Sequence, residues 1–373
     1  MPQCTATGVS TVESPFVLPA MSKPLHNLGG SDGSDGCTAY QNWNTFDLTG
    51  DGVQDLILTR HCSDPTVGVD RWLVYAGTAS GFATTASMFS LPTLTKPLHT
   101  LAGSDGSDGC TAYQNWTAID LTGDDALDLV LTRHCSDTTV GVGRWLIYPG
   151  TTSGFAATSS VFSLPGLVKP LHTMAGSDGS AGCTAYQNWS TLDVSGDGTL
   201  DLVLTRHCSD PTVGVGAWLV YPGTASGFAA TSSMFSLPGL VKPLHTTAGS
   251  DGSAGCTAYQ NWSTFDLTGD GASDLVLTRH CSDATVGVGH WLVYPGTANG
   301  FAATNSMFSL PALTKPLHTI GGSDGSTGCT AYQNWSTFDL TGDGTLDLVL
   351  TRHCTDSAVG IERWSVYSGV CEP

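Results

Sequence analysis

The chain has 373 residues, with 13 Lys and Arg against 32 Asp and Glu, giving a formal net charge of −19. That balance excludes a nucleic-acid backbone or an anionic membrane as partner, because both need a basic patch. No apolar run approaches the roughly 20 residues that span a bilayer, and Met1-Pro2-Gln3-Cys4 opens no visible signal peptide.

In chain order, the first strand-like stretch is Phe16-Val17-Leu18-Pro19, followed by Lys23-Pro24-Leu25-His26. The same phrase ends at His99, His172, His245 and His318, so a 73-residue unit occurs five times. Within the first unit, Trp43 to Leu48, Asp55 to His61, Arg71 to Tyr75 and a stretch ending Met88 to Pro92 read as four strands. They are rich in β-branched and aromatic residues and are bounded by Gly, Asp and Pro. Leu56 and Leu58 share one strand face and Ile57 takes the other, as expected for a small sheet packed on both sides. The fifth unit stops after its third strand, near Tyr367, and the missing strand stands at the other end of the chain. The expectation is one all-β domain over residues 1–373. It is a five-bladed β-propeller of four-stranded antiparallel blades, the last closed by residues 13–19.

Each unit carries two cysteines, 25 residues apart: Cys37 and Cys62, Cys110 and Cys135, Cys183 and Cys208, Cys256 and Cys281, Cys329 and Cys354. Cys4 and Cys371 remain near the chain ends. An even count with matched spacing reads as a disulfide framework, and therefore as a secreted or cell-surface protein. The expected pairs lie within each unit, with Cys4–Cys371 across the last blade. Pairing between neighbouring units is the alternative, and zinc at the His-Cys steps is the rival chemistry.

The hairpin between the first two strands has oxygen-bearing residues at positions 1, 3, 5 and 9 and a backbone carbonyl at 7. In the first unit these are Asp47, Thr49, Asp51, Asp55 and, for the carbonyl, Val53. The equivalents are Asp120, Thr122, Asp124, Ala126 and Asp128; Asp193, Ser195, Asp197, Thr199 and Asp201; Asp266, Thr268, Asp270, Ala272 and Asp274; and Asp339, Thr341, Asp343, Thr345 and Asp347. With glycine at position 6, such a set suits Ca²⁺. Asp125 replaces that glycine in the second unit and disfavours a turn with positive φ. A metal-free turn, in which the aspartates accept backbone N–H bonds, is the alternative.

These hairpins and the Leu-Val-Leu that follows them resemble the FG-GAP or VCBS repeats of integrin α-chain propellers and integrin-like propeller lectins. The resemblance covers the first two strands of each unit and implies structural calcium. The long cysteine-containing insertion before each first strand lies outside it.

The opposite face gathers short polar groups beside aromatics, a combination suited to sugar hydroxyls and to stacking on a pyranose ring. The candidates are Asp32, Tyr40, Asn42, His61 and Asp64, with Asp105, Tyr113, Asn115, His134 and Asp137 in the second unit. Asp178, Tyr186, Asn188, His207 and Asp210 follow, then Asp251, Tyr259, Asn261, His280 and Asp283, then Asp324, Tyr332, Asn334, His353 and Asp356. Packing alone accounts for Trp43 and Trp72, and Arg60 has Asp64 or Asp32 as available partners. Position 71 varies, being Arg144, Ala217, His290 and Arg363 in the later units, so it serves no ligand common to all. No nucleophile elbow, phosphate loop or dinucleotide fingerprint occurs, so no catalysis is expected. The leading expectation is a multivalent lectin whose partners are glycans or glycoproteins. A protein-binding adhesion or scaffold module is the alternative.

Overall fold

The computed structural model describes residues 6–21, 23–32, 40–94, 96–105, 113–178, 186–240, 242–251, 259–313, 315–324 and 332–371. The chain opens with β1 (Ala6–Val9) and β2 (Ser14–Val17). The first repeat then supplies β3 (Gly30–Asp32), β4 (Gln41–Phe46), β5 (Asp55–Arg60), β6 (Arg71–Tyr75), β7 (Gly77–Thr78), β8 (Gly81–Phe82) and β9 (Ser87–Ser90). Among the described residues every regular element is a strand, and no helix is long and apolar enough to cross a membrane.

Among the described residues the strands form five sheets of seven, which corrects the expected four. The antiparallel run β4-β5-β6-β9 supplies the four that the pattern foretold. The short β3 adds one edge. The other edge is a two-residue hairpin from the following repeat, Gly150–Thr151 with Gly154–Phe155, joined by a parallel bridge from Gly154 to Ser90. Strands this short leave no periodicity in the sequence, and their Gly, Ser and Thr read as turns.

Each sheet packs on the next. Ile57, Trp72, Val74 and Phe89 share a core with Leu98, Trp116, Leu129 and Phe155 of the second repeat. Leu56 and Leu58, on the other face of β5, pack with Phe16, Leu340, Val349 and Trp364. The fifth repeat thus meets the first through the same kind of core that joins the others, and the five-sheet arrangement is cyclic. Each junction is also sewn by a buried indole: Trp72 Nε1 donates to the Leu98 carbonyl at 2.7 Å, and Trp364 Nε1 to that of Leu25 at 2.7 Å. Trp72 stacks on Phe89 at 6.2 Å while Phe155 meets it edge-on at 5.6 Å. Such aromatic contacts contribute about 0.5–1.5 kcal/mol each beyond burial.

The N-terminal β2 does complete the fifth sheet, Phe16 standing opposite Trp364. The chain ends meet elsewhere than expected. β1 pairs with Gly369–Cys371, and both add to the outer edge of the fourth repeat's sheet. They take the place that the following repeat's hairpin takes in the other sheets. In backbone register Ala6 faces Cys371, while Cys4 lies outside the described residues.

Candidate functional site

Clefts open between consecutive sheets at three junctions, beside β3 and β4 or their equivalents. The one between the first and second repeats has a volume of about 580 Å³; its walls include Ser31, Asn42, Trp43, Asn44 and Thr59, with Thr100 and Thr117 opposite. Its counterparts between the second and third repeats and between the fifth and first have about 410 and 360 Å³. Asn42 is held across the junction, its Nδ2 donating to the His99 carbonyl at 2.7 Å. Asn115, Asn188, Asn261 and Asn334 make the same bond to His172, His245, His318 and His26. In all five asparagines the amide Oδ1 is buried and accepts no hydrogen bond. An orphaned buried acceptor costs about 1–3 kcal/mol. The Asn-x-Thr/Ser triplets Asn115-Trp116-Thr117 and Asn188-Trp189-Ser190 therefore have their amide nitrogens engaged in the fold.

None of the other described sugar-site candidates of the first two repeats lines the cleft between them. The tyrosines are exposed, Tyr40 at 59% and the other four at 58%; the Arg133 guanidinium lies 6.0 Å from the Tyr113 ring centroid. Asp105 and Asp178 face the buried Lys96 and Lys169 at 3.9 and 4.0 Å. Asp251 and Asp324 are likewise engaged, as are Lys23, Lys242 and Lys315. Asp32 lies on the backbone of β3. His353 and Asp356 line a separate depression of about 200 Å³ with His26.

Arg60 does not take up Asp64. That carboxylate is folded into its own turn, accepting the Thr66 N–H at 3.0 Å and hydroxyl at 2.6 Å, and pairs with Arg71 at 3.1 Å. Asp137 and Asp356 pair in the same way with Arg144 and Arg363, at 2.9 and 2.7 Å. The Thr139 hydroxyl and N–H, with Arg144, hold the Asp137 carboxyl down to about 2. His61 Nδ1 accepts the Ser63 N–H at 3.2 Å, and His134, His207, His280 and His353 do likewise, which places the proton of the neutral ring on Nε2. Arg60 instead adjoins His99 of the next repeat. Burial first, and Arg60 second, hold that imidazole below its usual range, Asp105 opposing. A Cβ on Gly68 would collide with the His99 ring, and Gly68 has φ 93°, so only glycine suits that junction.

The aspartate hairpins lie at the opposite end of β4 and β5 from Asn42. Asp47 Oδ1 accepts the Gly50 N–H at 2.8 Å and its Oδ2 that of Gly52 at 2.8 Å, while Asp51 Oδ1 takes Val53 N–H at 2.9 Å. Asp55 is fully buried and accepts from Leu48 and Thr49 on one oxygen and from Gly77 on the other. The turn is therefore self-held, in the manner of the metal-free alternative. Among the described residues no group of three or more His, Cys, Asp or Glu side chains could hold a metal ion. The donor set is all oxygen and suits calcium in kind, but in this geometry it is directed onto the backbone. Asp125 adopts φ 67° where its counterparts are glycines, so the second loop keeps the shared shape against its residue's preference. Charge accumulates here: burial, then the charges of Asp343 and Asp339, push the Asp347 carboxyl up to about 6.

Cys62, Cys135, Cys208, Cys281 and Cys354 are buried and disulfide-bonded, and no described cysteine is free. Cys37, Cys110, Cys183, Cys256 and Cys329 lie outside the described residues, so the pairing remains an expectation.

No family model matches the chain, and no curated protein matches it. Among solved structures it is similar to a GH43 β-1,3-galactosidase determined with galactodeoxynojirimycin, at 10% identity and a TM-score of 0.33, over 96% of this chain and 94% of that one. The expectation that the chain is not an enzyme is withdrawn, the solved structure to which it is similar being named as a glycosidase. Fivefold repetition of a scaffold is no ground for excluding catalysis, since function resides in sites and not in folds. A likeness at that TM-score assigns no activity to this chain.

Proposed function

We propose that the chain is a five-bladed propeller that binds carbohydrate in the clefts between consecutive blades. The observation that carries this reading is the repeated asparagine whose buried Oδ1 has no donor. A sugar hydroxyl supplies such a donor, and Thr59, Ser31 and the Trp43 ring border the same space. The cleft combines apolar walls with a few fixed polar atoms, and at about 580 Å³ it falls in the usual range for small-ligand sites. Weak individual sites on one ring would gain through simultaneous attachment to a glycan surface. A glycan array tests the reading: binding to a defined sugar class supports it, and absence of binding at high protein concentration removes it.

We propose further that the aspartate hairpins take calcium in solution, as their spacing and their resemblance to FG-GAP repeats imply. Mutual repulsion of the carboxylates within a loop favours this, because a divalent cation would relieve it. Loss of thermal stability on chelation is the test. The protein-binding alternative has one specific observation behind it, at the third repeat.

A further inference from the structure

The five repeats act as controls for one another at the position of Arg71. In the first, second and fifth repeats an arginine there donates its Nη2 to an aspartate Oδ2 at 2.7–3.1 Å. The third repeat has Ala217 at the same strand position, opposite Ser236 as Arg71 is opposite Ser90. Its aspartate is unchanged. Asp210 Oδ1 still accepts the Thr212 N–H and hydroxyl at 2.9 and 2.6 Å, and Ala217 offers nothing to Oδ2. A pocket of about 510 Å³ lies at this place, lined by Asp210, Pro211, Val215, Ala217, Leu219 and Met234 among others. Its neighbour Gly216, a glycine also in the second and fourth repeats (Gly143, Gly289) but Asp70 and Glu362 in the first and fifth, has open space at its Cβ position.

We infer that this pocket binds an arginine side chain supplied by a partner protein, in the place that the chain's own arginine holds in three other repeats. The chemistry fits the guanidinium on three counts. An oriented carboxylate stands where it accepts an arginine elsewhere in the same molecule, and guanidinium and carboxylate match as planar groups. Val215, Leu219 and Met234 offer apolar surface to the methylene stem. The net charge of −19 draws a basic partner toward the ring. Val215 and Met234 are 59% and 70% exposed, so the pocket mouth is open to a partner. The inference is independent of the carbohydrate reading, which concerns the clefts beside β4.

The methionines provide the test. Met88 and Met307 occupy the position of Met234 in the first and fourth repeats, beside Arg71 and His290. With methyl-¹³C-methionine protein, an acetyl-Ala-Arg-Ala-amide peptide is titrated and each methyl resonance followed. The expected result is a saturable shift of Met234 alone, across the millimolar range that one solvated ion pair and a short apolar stem support. The citrulline peptide, neutral and nearly isosteric, should leave Met234 unmoved. Ala217→Arg, which installs the residue of the other repeats, should abolish the response, and Asp210→Asn should weaken it several-fold. Equal shifts at Met88 and Met307, an equal response to citrulline, or no saturable shift would each overturn the inference.

Discussion

Asn42 Nδ2 donates to the His99 carbonyl at 2.7 Å, across the boundary between the first and second repeats. Thr59 Oγ1 donates to the same carbonyl at 2.7 Å. The bond fixes the amide of a residue that lines the cleft, with its oxygen buried and unmatched. Fold and candidate site thus share one side chain. Asn42→Ala should cost about 1–2 kcal/mol of stability and remove one sugar site, leaving the others at unchanged affinity. Calorimetric stoichiometry beside a melting curve separates the two effects.

Asp347 gives a pH dependence of definite sign. Its carboxyl is raised from 3.8 to about 6, so the folded state binds a proton that the unfolded state releases earlier. The associated stability is fully present below about pH 3.8 and is lost as pH rises through about 6, with a size of about 3 kcal/mol. The half-buried His99, His172, His245 and His318, held low, act in the opposite direction as pH falls through their unfolded value near 6.5. The comparison with Asp347→Asn isolates the carboxylate. In chelator, the wild type should gain stability relative to the variant between pH 7 and pH 5, as read by denaturant unfolding at each pH. A parallel pair of curves would contradict the assignment.

Asp125 is the described non-glycine residue with positive φ, at 67°. Asp125→Gly restores the residue of the other four loops and should stabilise by about 1 kcal/mol. For a chain of this length that corresponds to a rise of about 1–2 °C in Tm.

Calcium should raise the melting temperature and EDTA lower it, with disulfides intact under both conditions. The effect should be smaller in Asp55→Asn, whose carboxylate is the buried one of its loop. An unchanged melt in both media would leave the hairpins as self-held turns, their carboxylates serving Gly50, Gly52 and Gly77.

Much of this was legible because the repeat converts local patterns into global ones. Ile57 facing away from Leu56 and Leu58 foretold a sheet packed on both sides, and the displaced Phe16 strand foretold a cyclic closure. The outer hairpins were not legible, since Gly77–Thr78 and Gly81–Phe82 are too short to show alternation and their pairing is with another repeat. Of the site, Asn42 could be named from its chemistry beside Trp43, but its partner could not. The contact with His99 spans 57 residues and depends on how neighbouring sheets meet. Asp64 was grouped with Asn42 because the linear order places both on one face. Its pairing with Arg71 follows from the tight turn at Thr66, which aims the carboxylate along its own strand edge.

The central claim, that sugar enters the clefts between repeats, is tested most directly through the indole N–H signals. The ten tryptophans form two sets: in the first, Trp43, Trp116 and Trp335 border the three clefts, whereas Trp72 and its equivalents are at most 1% exposed in the cores. Titrating the sugar identified on an array into ¹⁵N-labelled protein should shift the Trp43, Trp116, Trp189, Trp262 and Trp335 indole resonances together, leaving the Trp72 set in place. Binding that leaves the first set unmoved would contradict the account.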